Sequence, residues 1–347
     1  MLKKIDVAVV GATGYTGLEL VKILVNHPGF ELAYIANSEG NTTIDTLHGA
    51  LSGVTCQKVE KADPKAIAKA AKLCFLALPH KTSMSFAKEL LALGVKVVDL
   101  SADYRLELET YEKHYCGHED KENLSNAVYG MPEFYKEDIE KAELIANPGC
   151  YPTASLLGLM PFVNYFDDNS NIFIDAKSGV SGAGKKLSAT THFVTVNDNI
   201  FAYNPFKHRH SPEIKEKVKL VGKKDLNINF VPHLIPVTRG MLVNIYGTLN
   251  QGITKETSQD RFDAKTVLKE FHKNNPFVRI KDKPVDIKST AGTNFCDIYV
   301  EQNGDAIFIS SSIDNLLKGA SSAAVVNANL MCGFEEDLGI NKIAYVP

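Results

Sequence analysis

Val7-Ala8-Val9-Val10-Gly11-Ala12-Thr13-Gly14-Tyr15-Thr16-Gly17 stands near the start of the chain, and Leu18, Leu20, Val21, Leu24 and Val25 follow it at helical spacing. A short unbroken run of small and β-branched apolar residues suits a parallel strand buried on both faces. The glycines stand at G-x-x-G-x-x-G rather than G-x-G-x-x-G spacing, yet they meet the same physical demands. These are a tight turn, close approach of the backbone to a pyrophosphate, and helix N-terminal amides directed at the anion. Strand, glycine loop and helix in this order predict an α/β chain whose N-terminal domain is a Rossmann-type parallel sheet binding a dinucleotide.

Outward from this stretch, Glu31 to Ala36 reads as a second strand ending at Asn37-Ser38-Glu39-Gly40. That is the position where such a fold chooses between a ribose hydroxyl and a 2′-phosphate. Ser38 is suited to donate to a phosphate and Glu39 to accept from a hydroxyl, so NADP and NAD both stay open at this point. Leu73 to Leu78 ends at Pro79-His80-Lys81, and Val95 to Leu100 ends at Ser101-Ala102-Asp103-Tyr104-Arg105. Ligands sit at the C-terminal ends of strands in open parallel sheets, which makes both loops candidate contacts.

Leu144-Ile145-Ala146 breaks at Asn147-Pro148-Gly149-Cys150-Tyr151-Pro152-Thr153, ahead of another helical pattern. Cys150 therefore falls at or just before a helix N-terminus, whose field favours the reactive thiolate. Beyond it Asn171 to Lys177, Asn227 to Val231 and Gly240 to Leu249 alternate in character and predict a second, α+β catalytic domain with a mainly antiparallel sheet. The loop Ser178 to Lys186 lacks the pattern of a nucleoside triphosphate loop. In His208-Arg209-His210-Ser211-Pro212, the serine and proline read as an N-cap and first helical residue, which places both histidines in the loop before the helix. Either histidine suits a base that partners a catalytic cysteine and then protonates a departing oxygen. His233 is a weaker candidate of the same kind. The five arginines are Arg105, Arg209, Arg239, Arg261 and Arg279. Arg105, Arg209 and Arg239 fall in or beside these segments, which suggests planar clamps for a substrate with two anionic ends.

The 347 residues carry 38 Lys+Arg against 41 Asp+Glu, a balance that disfavours nucleic acid and anionic membranes as partners. No apolar run approaches a membrane span, and the N-terminal residues lack the pattern of a secretory or transit leader. Six cysteines without C-x-x-C spacing signal neither zinc nor a disulfide framework, so no metal is expected and a reducing cytoplasm fits. The small-residue segment Asp314 to Leu330 is expected to form a helix returning to the first domain, which gives a dinucleotide-binding domain of 1–149 with 316–347 and a catalytic and dimerisation domain of 150–315.

The motifs from Gly11 to Gly17, Leu78-Pro79-His80, Asp99 to Arg105, Tyr129 to Glu133 and Asn147 to Thr153 resemble those of the N-acetyl-γ-glutamyl-phosphate reductase family, as do Asp175 to Gly184, His208 to Ile214, Pro232-His233-Leu234 and Asp314 to Ala320. That family belongs to a larger group that includes aspartate-semialdehyde dehydrogenase. The resemblance implies NADPH-dependent reduction of an acyl phosphate to a semialdehyde in arginine biosynthesis, in a homo-oligomer (dimer or tetramer). It implies Cys150 as nucleophile and His210, or else His208, as acid and base. For the cofactor it implies Gly11, Thr13, Gly14, Tyr15, Thr16, Gly17, Ser38, Leu78, Pro79, Ser181, Gly182 and Asn315. For the substrate it implies Arg105, Arg209, Arg239 and Lys177. Asn37-Ser38-Glu39 departs from the family, which more often carries a basic residue near the serine. Two alternatives stand beside this reading: a sister enzyme acting on an aspartyl or aminoadipyl homologue, and a non-catalytic dinucleotide sensor, which would have no use for Cys150.

Overall fold

The computed structural model describes residues 3–254 and 262–345, so that Arg261 lies outside the described residues. The chain forms two compact units, Met1–Gly149 with Ala320–Asn341 and Cys150–Gly319 with Lys342–Pro347.

The first unit is built on the strands β1 Ile5–Val10, β2 Phe30–Asn37, β3 Thr42–Thr43, β4 Lys58–Lys61, β5 Leu73–Leu76, β6 Lys96–Asp99, β7 Val128–Tyr129 and β8 Leu144–Ala146. They form one sheet in the order β3-β4-β2-β1-β5-β6-β8-β7, parallel except for the short β3/β4 pair. Val7, Ala8, Val9 and Val10 are wholly buried, as a strand covered on both faces requires. The sheet runs to β2 on one side of β1 and to β5 on the other, so the chain reverses direction across the sheet at β1. A crevice for ligands opens at the C-terminal ends of strands at such a point. β5 ends at Leu76, two residues before the expected end, because Ala77 turns toward the glycine loop and donates its amide to Val10 O at 2.9 Å. The small-residue helix Ser321–Met331 is buried along its whole length in this unit. Ser321 Oγ donates to Thr16 O at 2.9 Å, and Asn327 Nδ2 donates to Gly130 O at 2.9 Å. A Cβ on Gly130 would lie 2.4 Å from Asn327 Nδ2, so the glycine makes the room that this helix's asparagine fills.

The second unit holds β9 Asn171–Gly179, β10 Phe201–Ala202, β11 Asn227–Ile235, β12 Met241–Thr248, β13 Val278–Ile280, β14 Cys296–Asn303 and β15 Ala306–Ile313. Their order is β10-β11-β9-β12-β15-β14-β13. The sheet is mainly antiparallel, but β9 and β11, which the alternation of both segments had read as antiparallel, pair in parallel. The helix His210–Gly222 lies between them in the chain, and a connection of that length allows a crossover where a hairpin turn would force reversal. One sheet face, carrying Ile174, Ala176, Val243, Ile309 and Ser311, is covered by helices, and Ser311 Oγ donates to Ala154 O at 2.8 Å. The opposite face carries Phe173, Asp175, Lys177, Asn244, Tyr246 and Phe308, since neighbours in register share a face and alternate residues do not. Among the described residues no helix is long and apolar enough to cross a membrane.

Candidate active site

In the first unit the glycine loop is constrained from below. A Cβ at Gly11, whose φ is +93°, would lie 2.2 Å from Ala77 O, and one at Gly17 would lie 2.3 Å from Gly11 O. Neither position accepts a side chain without moving main chain. Gly14 differs: a Cβ there would meet nothing nearer than Gly11 O at 3.7 Å, so this glycine leaves room above the loop. Gly14 is the N-cap of the helix Tyr15–Leu24, so the amides of Tyr15 and Thr16 open that helix beside the room it leaves. Thr13 and Tyr15 are exposed, and Thr13 Oγ1 accepts from Asn37 Nδ2 at 3.3 Å. This cradle fits a dinucleotide pyrophosphate.

Asn37, buried at the end of β2, is quoted in the motif reading but given no contact there. Its Oδ1 accepts from the amides of Glu39 at 2.9 Å and Gly40 at 2.6 Å, which shapes the turn so that Ser38 and Glu39 are exposed. His48 is a residue that the motif reading passed over: its Nε2 donates to Ala12 O at 2.7 Å and supports the glycine loop from a distant segment. Leu78 is half-buried and Pro79 exposed, and the loop they begin is held by Asp103. The Asp103 carboxylate accepts from Lys81 N and Met84 N, each at 2.9 Å, and from Tyr111 OH at 2.6 Å. Arg105 is buried, with Nε donating to Asn147 O and Nη2 to Leu100 O, both at 2.7 Å. Its guanidinium thus ties the loop that leads toward Cys150 in the chain to the end of β6.

In the second unit Cys150 is the first residue of the helix Cys150–Leu159. Tyr151 is buried, and its ring lies edge-on to His208 and His210, with centroids 5.4 and 5.8 Å away. Both histidines are therefore gathered at the N-terminal turn of the Cys150 helix. The helix His210–Gly222 starts two residues earlier than the serine cap predicts, so that His210 is its first residue and only His208 stays in the loop before it. Arg209 is the N-cap, and His208 Nδ1, one residue earlier, accepts from the first helical amide, His210 N, at 3.1 Å. Pro212 then falls within the first turn, where its missing N–H has no intrahelical partner to lose. His208 also packs on Tyr203 and Phe230, with ring centroids 5.4 and 5.5 Å away. Burial, and secondarily the charge of Arg209, lower its pKa from the ordinary 6.5 to about 4. His208 is thus a neutral acceptor. Tyr151 and Tyr203 share a hydrogen bond at 3.0 Å between their hydroxyls. Burial pushes the Tyr203 phenol up to about 12 against the lowering effect of that bond, and the nearby charge of Cys150 adds to the rise. Tyr151 and Tyr203 give no signal as isolated residues in the sequence.

The remaining predicted residues fall into two groups. Asn315 Oδ1 accepts from Gly240 N at 2.7 Å, and Asn315 Nδ2 donates to Ser181 Oγ at 3.0 Å, with Gly182 beside them. Arg239 meets the carboxylate of Asp314, with Nε 2.9 Å from Oδ2 and Nη2 3.1 Å from Oδ1. The anion its fork grips here is a residue of its own unit. Arg209 is exposed. Lys177 lies on the sheet face opposite the Cys150 helix, where it pairs with Asp175, and His233 Nδ1 stands 3.2 Å from Asp175 Oδ1.

Comparison with known proteins identifies the two domains and the family. The semialdehyde dehydrogenase NAD binding domain matches residues 6–142, and the semialdehyde dehydrogenase dimerisation domain matches residues 150–315. The N-acetyl-gamma-glutamyl-phosphate reductase of Sulfurovum sp. is 62% identical over 343 residues, covering 99% of this chain and 100% of that protein. That of Wolinella succinogenes is 57% identical over 346 residues and covers 100% of both. Among solved structures, aspartate semialdehyde dehydrogenase II from Vibrio cholerae, complexed with ASA, superposes with a TM-score of 0.71 at 16% identity, covering 95% of this chain and 99% of its own. The Candida albicans aspartate semialdehyde dehydrogenase with NADP gives 0.69 at 14% identity, with the same coverage. At such identities these structures speak for the fold. The full-length relatives speak for more: the chain belongs to the N-acetyl-gamma-glutamyl-phosphate reductase family.

Proposed function

We propose that Cys150 is the nucleophile and His210 the acid and base in the NADPH-dependent reduction of N-acetyl-glutamyl 5-phosphate to N-acetyl-glutamate 5-semialdehyde and phosphate. The observation that carries the assignment is the pair of histidines on Tyr151. His208 is neutral with Nδ1 engaged by the His210 amide, which leaves His210 to exchange protons. The Cys150 thiolate attacks the acyl carbon, a C–S bond forms and the C–O bond to phosphate breaks. NADPH, when bound, supplies the hydride that reduces the thioester. The positive end of the helix Cys150–Leu159 stabilises the oxyanion that develops at each stage. His210 takes the thiol proton of Cys150 before attack and gives it to the departing phosphate oxygen; after reduction the alkoxide collapses, the C–S bond breaks, and aldehyde and thiolate are released. Gly11, Gly14, Gly17 and the amides of Tyr15 and Thr16 would hold the pyrophosphate, with Ser38 at the 2′-phosphate and Leu78 and Pro79 lining the way beyond. Arg105 and Arg209 are the substrate-side candidates.

The protein is also read as a homo-oligomer. The open face of its second sheet exposes Phe173 and Tyr246, at 52% and 43%, beside Phe308. Apolar rows of this kind on one face suit a second copy. All six cysteines are free thiols, which fits the cytoplasm.

The test is phosphate-dependent oxidation of N-acetylglutamate semialdehyde, aspartate semialdehyde and aminoadipate semialdehyde side by side, with the parent and with Cys150→Ala. The acetylated five-carbon substrate should be preferred, and Cys150→Ala should abolish turnover while holding NADPH within a few-fold. Residual turnover above a small fraction of the parent rate removes the covalent route.

A further inference from the structure

Asp314 follows β15 directly and is wholly buried. Besides the two contacts from Arg239, its carboxylate accepts from Gly292 N at 2.7 Å and Leu316 N at 2.9 Å. Its main-chain carbonyl accepts from Gly319 N at 2.9 Å, which closes residues 314–319 into a compact loop. Gly319 is then the point where this loop meets the nucleophile. A Cβ on Gly319 would stand 2.7 Å from Cys150 Cβ and 2.6 Å from Asn315 O. The other side of the ion pair is covered by the C-terminal segment, where Tyr345 N donates to Ala291 O at 2.9 Å and the Tyr345 ring centre lies 5.6 Å from the Arg239 guanidinium carbon.

We propose that the pair of half-buried Arg239 with buried Asp314 is a positioning device for the nucleophile: it fixes the 314–319 loop so that Gly319 seats the Cys150 side chain, rather than gripping an anionic end of the substrate. This rests on the reading of Cys150 as the nucleophile. Removing one partner of such a pair leaves a buried charge without its counterpart, so the loop moves rather than tolerate it. Lysine in place of Arg239 keeps the charge but cannot meet both carboxylate oxygens with a planar fork. At Gly319 the geometry is steric. Carbon atoms pack at about 3.5–4.0 Å, so a methyl group there displaces Cys150 Cβ by about 1 Å. A displacement of that size in a reacting group costs on the order of 100-fold in rate.

Gly319→Ala and Arg239→Lys test this, with two readouts. One is kcat and KM for phosphate and for the semialdehyde in the oxidative direction. The other is the rate of iodoacetamide alkylation of Cys150, followed on its own peptide without substrate, across a range of pH. Both variants are expected to lower kcat by about tenfold or more, to hold both KM values within about threefold, and to shift the alkylation profile. If Arg239→Lys raises a KM while keeping the parent kcat and alkylation profile, Arg239 contacts substrate and the proposal falls. It falls too if Gly319→Ala turns over and alkylates like the parent. Should Gly319→Ala fail to fold, as judged by melting and NADPH binding, Arg239→Lys decides alone. Turnover by Cys150→Ala would instead remove the nucleophile assignment, which keeps the two failures distinct.

Discussion

Acidification should reach the site through His208. In the unfolded chain this imidazole takes a proton at its ordinary value of 6.5, whereas in the fold it does so only at about 4, chiefly because it is buried. The unfolded state therefore binds more protons between those limits. The stabilisation that the neutral ring contributes is fully present above about pH 6.5 and is lost as pH falls toward 4. A difference of about 2.5 units at 1.36 kcal/mol each amounts to about 3 kcal/mol when the loss is complete. A proton on Nδ1 would also face the His210 amide, which now donates to that nitrogen at 3.1 Å, and the first helical amide would lose its acceptor. The assay is urea unfolding followed by circular dichroism, since the chain has no tryptophan, for the parent and His208→Gln from neutral pH downward. Glutamine keeps an acceptor oxygen for the amide but does not titrate. The parent should lose stability relative to the variant as pH falls, by up to about 3 kcal/mol. A stability difference independent of pH would refute the neutral, amide-accepting role of His208.

At the glycine loop, Gly17→Ala puts a methyl group 2.3 Å from a main-chain oxygen, and NADPH titrations should show affinity weakened by about tenfold or more. Ser38→Asp should move kcat/KM from NADPH toward NADH, since a carboxylate repels a 2′-phosphate and accepts from a free hydroxyl; an unchanged ratio would leave Ser38 outside the cofactor site. On the open sheet face, Phe173→Lys should lower the molar mass measured by light scattering, and a parent-like mass would place self-association elsewhere.

The glycine loop and the helix that opens at Cys150 were legible from the residues alone because their signals are local. In Val7 to Gly17 a buried run meets three closely spaced glycines, although the contact that leaves no room at Gly11 comes from Ala77 after β5, and Pro148-Gly149-Cys150 marks a helix start by chain order. The contacts that give other residues their roles are not local. Arginine at 239 reads as a clamp for an anion, and it meets a carboxylate at both oxygens, but that carboxylate belongs to Asp314, 75 residues on and reached only because both segments fold into one unit. The two histidines look equivalent as neighbours in sequence. Packing against Tyr151, Tyr203 and Phe230 removes water from His208 and turns it into the acceptor for the His210 amide. Lys177 alternates with Ala176 in one strand, and only the register of β9 with β12 and β15 shows that it faces away from the Cys150 helix. Gly319 carries no signal of its own among 24 glycines. Its place becomes visible only where the chain returns against Cys150, because close packing makes the absence of a single methyl group a condition for where that side chain sits.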